Sequence, residues 1–202
     1  AYDLLGFQTS RDNDRFRSYV RLYGGGRAID DQVLEGPDGR RFRTGAFPIS
    51  IDTPHIARQA KAAVGKPAMR TLHTSLERRM LAIGVDRLDY SKGLPERFQS
   101  FGRYLERHPE QKGTLTYLQI APVSRGEVNE YQQLRNQLEQ IAGHINGRHA
   151  EPDWTPLRYV NRNIPHAMLA GYYRMARIGL VTPLRDGMNL SLIHISEPTR
   201  PY

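Results

Sequence analysis

Three short segments of this sequence combine cations, a carboxylate and glycine in ways that suit a ligand rich in phosphates or hydroxyls. The first is Asp86-Arg-Leu-Asp-Tyr-Ser-Lys-Gly93. Arg87 supplies a planar fork of donors and Lys92 a compact point charge, so together they can hold different oxygens of one diphosphate. The same pair fits two solvated cations flanking a turn equally well, because no Walker pattern and no Gly-x-Gly-x-x-Gly accompanies it. The second is Ala121-Pro-Val-Ser-Arg-Gly126, where Arg125 can hold a phosphate or a sugar hydroxyl. Taken alone, Ser124 as a plain helix cap with Arg125 in water is the simpler reading. The third is Thr182-Pro-Leu-Arg-Asp-Gly-Met-Asn189, which sets the Asp186 carboxylate beside backbone amides. Carboxylates suit sugar hydroxyls and amides suit phosphate. Asp-Gly is also a stock turn dipeptide, and on its own that reading leads.

The flanking elements place these segments. Residues 81–85 are a continuous apolar run, as a strand covered on both faces should be, and residues 115–121 read as the next strand. Residues 157–160 and 178–181 read as two more strands. Between them, Phe98, Phe101 and Leu105 mark a helix over 94–105. Val128, Tyr131, Leu134, Leu138, Ile141 and Ile145 mark a longer one, and residues 165–175 a third. Alternating strands and helices imply a parallel sheet, and ligands of such sheets bind beyond the carboxyl ends of the strands. All three segments follow such ends. Upstream, residues 3–7 read as a short buried strand, and Ser10 or Asp12 as the cap of a helix broken by Gly24-Gly-Gly26. Residues 42–51 read as extended. Asp52 or Thr53 caps a helix with Pro54 in its first turn, and Pro67 opens another running to Leu76. The fold class is therefore α/β, a Rossmann-like unit over about residues 53–190 with part of something else before it.

Composition narrows the partners. The formal net charge of +8 is scattered, with Arg40-Arg41 and Arg78-Arg79 as the only Arg pairs, so a nucleic-acid stripe is not expected. No apolar run approaches the roughly 20 residues that span a bilayer, so no membrane partner is expected. The first residues lack initiator Met and signal-peptide character, so the chain is expected to begin within a longer protein. The absence of cysteine excludes disulfides and thiolate sites and suits the cytoplasm. The seven histidines show no metal-ligand spacing, and Trp154 reads as a packing anchor.

Taken together, the ordered strings resemble the trehalose-6-phosphate synthases, glycosyltransferases built from two Rossmann domains (the GT-B type). The strings are Asp3-Leu-Leu-Gly-Phe-Gln-Thr9, Phe47-Pro-Ile-Ser-Ile51, Val85 through Phe98, Gln119 through Gly126, Trp154-Thr-Pro-Leu157 and Gly179 through Leu190. The resemblance implies transfer of glucose from UDP-glucose to glucose-6-phosphate with retention, without metal or cofactor. It implies that Arg87 and Lys92 act on the donor diphosphate and Arg125 on the acceptor phosphate. Asp186 would meet donor glucose hydroxyls, with Gly187, Met188, Asn189 and Leu190 lining the same pocket through their amides. Ile164 and Leu169 would lie beside the uridine. It also implies a homo-oligomer for the full-length protein. On this basis residues 1–52 would close the acceptor-side domain and residues 53–190 would form a truncated nucleotide-sugar-binding domain.

Residues 191–202 depart from the family. The expected helix with a ribose-binding Glu is replaced by a string resembling a translated sequencing adapter, and Pro198 and Pro201 disfavour a helix there. A fragment of this extent is expected to be inactive or nearly so. Two other classes compete: a non-catalytic regulatory domain on the same fold, against which the presence of Arg87, Lys92, Arg125 and Asp186 counts, and a basic nucleic-acid binder. A related transferase with another acceptor is the nearer alternative.

Overall fold

The alternation expected after residue 80 is present in the structure, a computed structural model that describes residues 2–49, 51–123 and 129–184. The chain divides into two units, Ala1–Ile51 and Asp52–Tyr202. In the first, β1 (Leu4–Phe7), α1 (Ser10–Leu22), β2 (Arg27–Ala28), β3 (Val33–Glu35) and β4 (Arg41–Ala46) form a sheet in the order β1-β4-β3-β2. β1 lies parallel to β4, and the other pairs are antiparallel.

Two expectations for this unit are corrected. The first strand is not buried: Leu5 and Phe7 are partly covered, but Leu4 is 52% exposed. Side chains alternate across a strand, and Phe7 turns toward Phe16 of α1, with ring centroids 5.1 Å apart. The helix cap is Thr9, one residue before the expected Ser10. Its hydroxyl accepts from the Asp12 amide at 3.1 Å. The short β2–β3 pair carries too few residues for its period to show in the sequence.

In the second unit, α2 (Thr53–Ala63) and α3 (Pro67–Leu76) precede the parallel sheet. Asp52 caps α2 by accepting from the His55 amide at 2.8 Å, with Pro54 in the first turn as expected. There follow β5 (Met80–Val85), α4 (Leu94–Arg107), β6 (Leu115–Ile120), α5 (Asn129–His149), β7 (Leu157–Val160), α6 (His166–Met175) and β8 (Ile178–Gly179). β8 is shorter than expected. The strands are all parallel in the order β7-β6-β5-β8. Numbered within this unit the order is 3-2-1-4, the Rossmann arrangement, and it reverses between β5 and β8.

Strand alternation feeds two cores. Ala82, Leu115 and Tyr117 face Phe98, Phe101, Leu105, Leu138 and Ile145 of α4 and α5. Leu81, Ile83, Leu118 and Ile120 face Leu76 of α3 and Leu169, Tyr172 and Tyr173 of α6. Trp154 is the packing anchor expected: it is 1% exposed, and its indole N–H donates to the Leu115 carbonyl at 3.2 Å. Gly171 lets α6 close on its neighbours, since a Cβ there would sit 2.7 Å from that of Ala63.

Burial of phenols in these cores sets an alkaline limit. Burial raises Tyr117 and Tyr173 and pushes Tyr159 up to about 12. The Tyr159 hydroxyl is buried with no hydrogen-bond partner. A phenol raised on folding stabilises the chain fully below its unfolded value of about 10. That contribution is lost as pH climbs through the folded value. Tyrosinate absorbance should therefore show a late fraction appearing only as circular dichroism falls. A single ionisation near the ordinary phenol value with native dichroism intact would refute this.

Candidate active site

The carboxyl ends of β5 and β8 flank the point where strand order reverses, and an open α/β sheet leaves a crevice there. The loop after β5 is built tightly. Asp86 N–H donates to the Ile120 carbonyl at 3.0 Å and Leu88 N–H to the Pro122 carbonyl at 3.1 Å, so the loop stays pinned to the end of β6. Leu88 is fully buried. Asp89 then caps a single 3-10 turn over Tyr90–Lys92, accepting from the Ser91 amide at 2.9 Å and the Ser91 hydroxyl at 2.8 Å. Burial alone would raise the Asp89 carboxyl. The Ser91 bonds and the charges of Arg87 and Lys92 outweigh it and hold the carboxyl below its ordinary value.

Gly93 ends the turn and starts α4 at φ 63°, in the left-handed region that favours glycine. It also has no room for a side chain, because a Cβ would lie 2.7 Å from the Thr182 carbonyl oxygen. The loop leaving β8 is thus laid directly on the loop leaving β5, and the Leu184 amide donates to the Ser91 carbonyl at 2.9 Å.

Arg87 is exposed on this loop, whereas Lys92 is only 6% exposed. Both stand ahead of the N-terminus of α4, where the helix dipole favours anions. Ile164 follows the end of β7 and Leu169 lies in α6; both are half-buried against the core that contains Leu81 and Ile120. Arg125, Asp186, Gly187, Met188, Asn189 and Leu190 lie outside the described residues. Among the described residues, no three His, Asp or Glu side chains gather as a metal would require.

Beneath the loop sits a polar network that the sequence reading missed. The Arg97 side chain is 3% exposed and that of Asp86 1%, and they pair at 2.6 Å. Arg97 Nη1 also donates to Gln119 Oε1 at 3.0 Å, and Gln119 Nε2 donates to Asp86 Oδ2 at 3.2 Å. The buried Tyr117 hydroxyl closes the group by donating to Gln119 Oε1. Burial alone would lower the Arg97 guanidinium, but Tyr117 and Asp86 outweigh it and raise it. Gly84 makes the space: a Cβ there would lie 2.2 Å from Gln119 Oε1. A signal was available in Gln119 and Arg97, polar residues inside an apolar strand run and an apolar helix stripe. A buried polar group is the informative exception.

A trehalose-6-phosphate synthase of Sinorhizobium fredii (strain NBRC 101917 / NGR234) is 46% identical over 189 residues, covering 94% of this chain and 40% of the relative. A Burkholderia xenovorans alpha,alpha-trehalose-phosphate synthase (UDP-forming) in complex with glucose-6-phosphate superposes with a TM-score of 0.85 at 45% identity, covering 93% of this chain and 42% of that one. The E. coli protein bound with UDP-2-fluoro glucose gives 0.84 at 43% identity, covering 94% and 42%. The chain thus spans about two fifths of the length of the curated relatives it matches. The model of glycosyltransferase family 20 matches residues 1–194, and the chain belongs to that family.

Proposed function

We propose that this chain carries the donor-binding part of a retaining glucosyltransferase, which moves glucose from UDP-glucose to glucose-6-phosphate and yields trehalose-6-phosphate and UDP. The observation that carries this reading is the cation pair at the strand-order reversal: Lys92 buried and Arg87 exposed, on one loop ahead of α4. As the bond from the anomeric carbon to the diphosphate breaks, negative charge grows on the departing phosphate. Preorganised cations in a partly dry site stabilise that charge without reorganising. Arg125 takes the acceptor phosphate, and Asp186 with the amides of residues 187–190 takes the donor glucose. Ile164 and Leu169 lend apolar surface to the uridine side. The cations do the work a divalent metal would otherwise do, so no cofactor is required. The relatives solved with glucose-6-phosphate and with a UDP-glucose analogue support the substrate pair. Both substrates are charged metabolites, which fits a cytoplasmic enzyme; self-association of the full-length protein rests on the resemblance.

The test is transfer by the full-length protein that contains this chain. Given UDP-glucose and glucose-6-phosphate, it should release UDP and form trehalose-6-phosphate. No transfer with any common nucleotide-glucose donor rejects the reading.

A further inference from the structure

The two loops at the strand-order reversal are joined through a side chain that the reading above does not use. One buried guanidinium meets four groups. Arg97 Nη1 donates to Asp86 Oδ2 at 2.6 Å and to Gln119 Oε1 at 3.0 Å, Nη2 to the Lys92 carbonyl at 3.4 Å, and Nε to Thr182 Oγ1 at 2.8 Å. Asp86 and Lys92 belong to the loop after β5, whereas Thr182 belongs to the loop after β8. We propose that Arg97 is a positioning residue, a rigid cross-tie that sets the spacing between the Arg87–Lys92 loop and the Thr182 loop. Its importance for ligand rests on the diphosphate reading of the crevice.

The chemistry favours this over simple core filling. A guanidinium is planar, so fixing one edge on Asp86 and Gln119 also fixes where Nε and Nη2 point. The lysine backbone and the threonine hydroxyl are then held at mutually determined positions. The Thr182 carbonyl also lies over Gly93, so the tie would set one wall of the crevice against the other. A displacement of about 1 Å at such a wall can cost about 100-fold in rate.

Thr182 allows a test that spares the fold, because it is exposed while Arg97 and Asp86 are not. Thr182→Val removes the acceptor and keeps the shape, and Thr182→Ser restores the hydroxyl. Two measurements on the full-length protein that contains this chain separate the possibilities. The first is amide exchange at Lys92, Gly93 and Leu184, whose N–H groups bond within and across the loops. Thr182→Val should speed exchange at Gly93 as well as Leu184, and Thr182→Ser should bring both back. The second is the preference for UDP over UMP, which reports the diphosphate grip. Thr182→Val should narrow it by about three- to ten-fold, the scale of one ordinary hydrogen bond. Unchanged exchange at Lys92 and Gly93, with the wild-type UDP preference intact, overturns the cross-tie alone. A wild-type full-length protein with no preference for UDP over UMP overturns the diphosphate reading, and the ligand role of Arg97 falls with it.

Discussion

Replacing Lys92 with alanine in the full-length protein should lower kcat for glucosyl transfer by about 100- to 1000-fold while leaving KM nearly unchanged. The reason is where the charge sits. Lys92 is buried in the loop after β5, and an ammonium in such poorly solvated surroundings would act on a departing phosphate with little screening. Arg87 is exposed on the same loop, so Arg87→Ala should act in the same direction but less strongly. The alanine at 92 keeps the backbone carbonyl that receives Arg97, so the frame beneath the loop survives. Lys92→Arg should not rescue, because a longer fork does not fit the space of a compact ammonium. Steady-state kinetics with both substrates varied provides the check. A raised KM with kcat intact would assign Lys92 to ground-state binding and remove its role in the chemical step.

Arg97→Met should destabilise the chain by about 3–5 kcal/mol, the usual cost of removing one partner of a buried ion pair. The Asp86 side chain is only 1% exposed, and its Oδ1 has no hydrogen bond. Without Arg97, the carboxylate would retain only Gln119 Nε2 among its described side-chain donors. Tyr117 and Gln119 would also lose the cation that organises them. Denaturation by urea should show a lower midpoint at unchanged slope. The double replacement Asp86→Asn with Arg97→Met should recover much of the loss, because no buried charge then lacks a partner. A single Arg97→Met variant within about 1 kcal/mol of wild type, the scale of an exposed ion pair, would mean that the network is solvated.

Much of the frame was legible in the sequence because the signals are local. The alternation of β5 through β8 with α4 through α6 follows from short, largely apolar runs and from apolar spacings of three and four, which a single segment displays by itself. Asp52 and Pro54 mark the start of α2 through the chemistry of free helix-end amides. The placing of Arg87 and Lys92 after a strand needed no more than this. What the sequence left even was whether those cations serve a ligand or merely face water.

Tertiary structure decided three things that no segment carries alone. It placed β8 beside β5, pairing Ala82 with Ile178 and Ile83 with Gly179, and so set the crevice at the loop of Lys92. Such pairing depends on which strand edge remains open once β6 and β7 are in place. It buried Lys92 and left Arg87 exposed, a difference that depends on the loop lying under its neighbour. It also turned Arg97 inward. By pattern, an arginine on a helix belongs in water; here Gly84 leaves a space on β5, and Asp86, Gln119 and Thr182 bring acceptors to it from three elements. Burying a charge is favourable only when its partners are already assembled, and that assembly exists only in the folded chain.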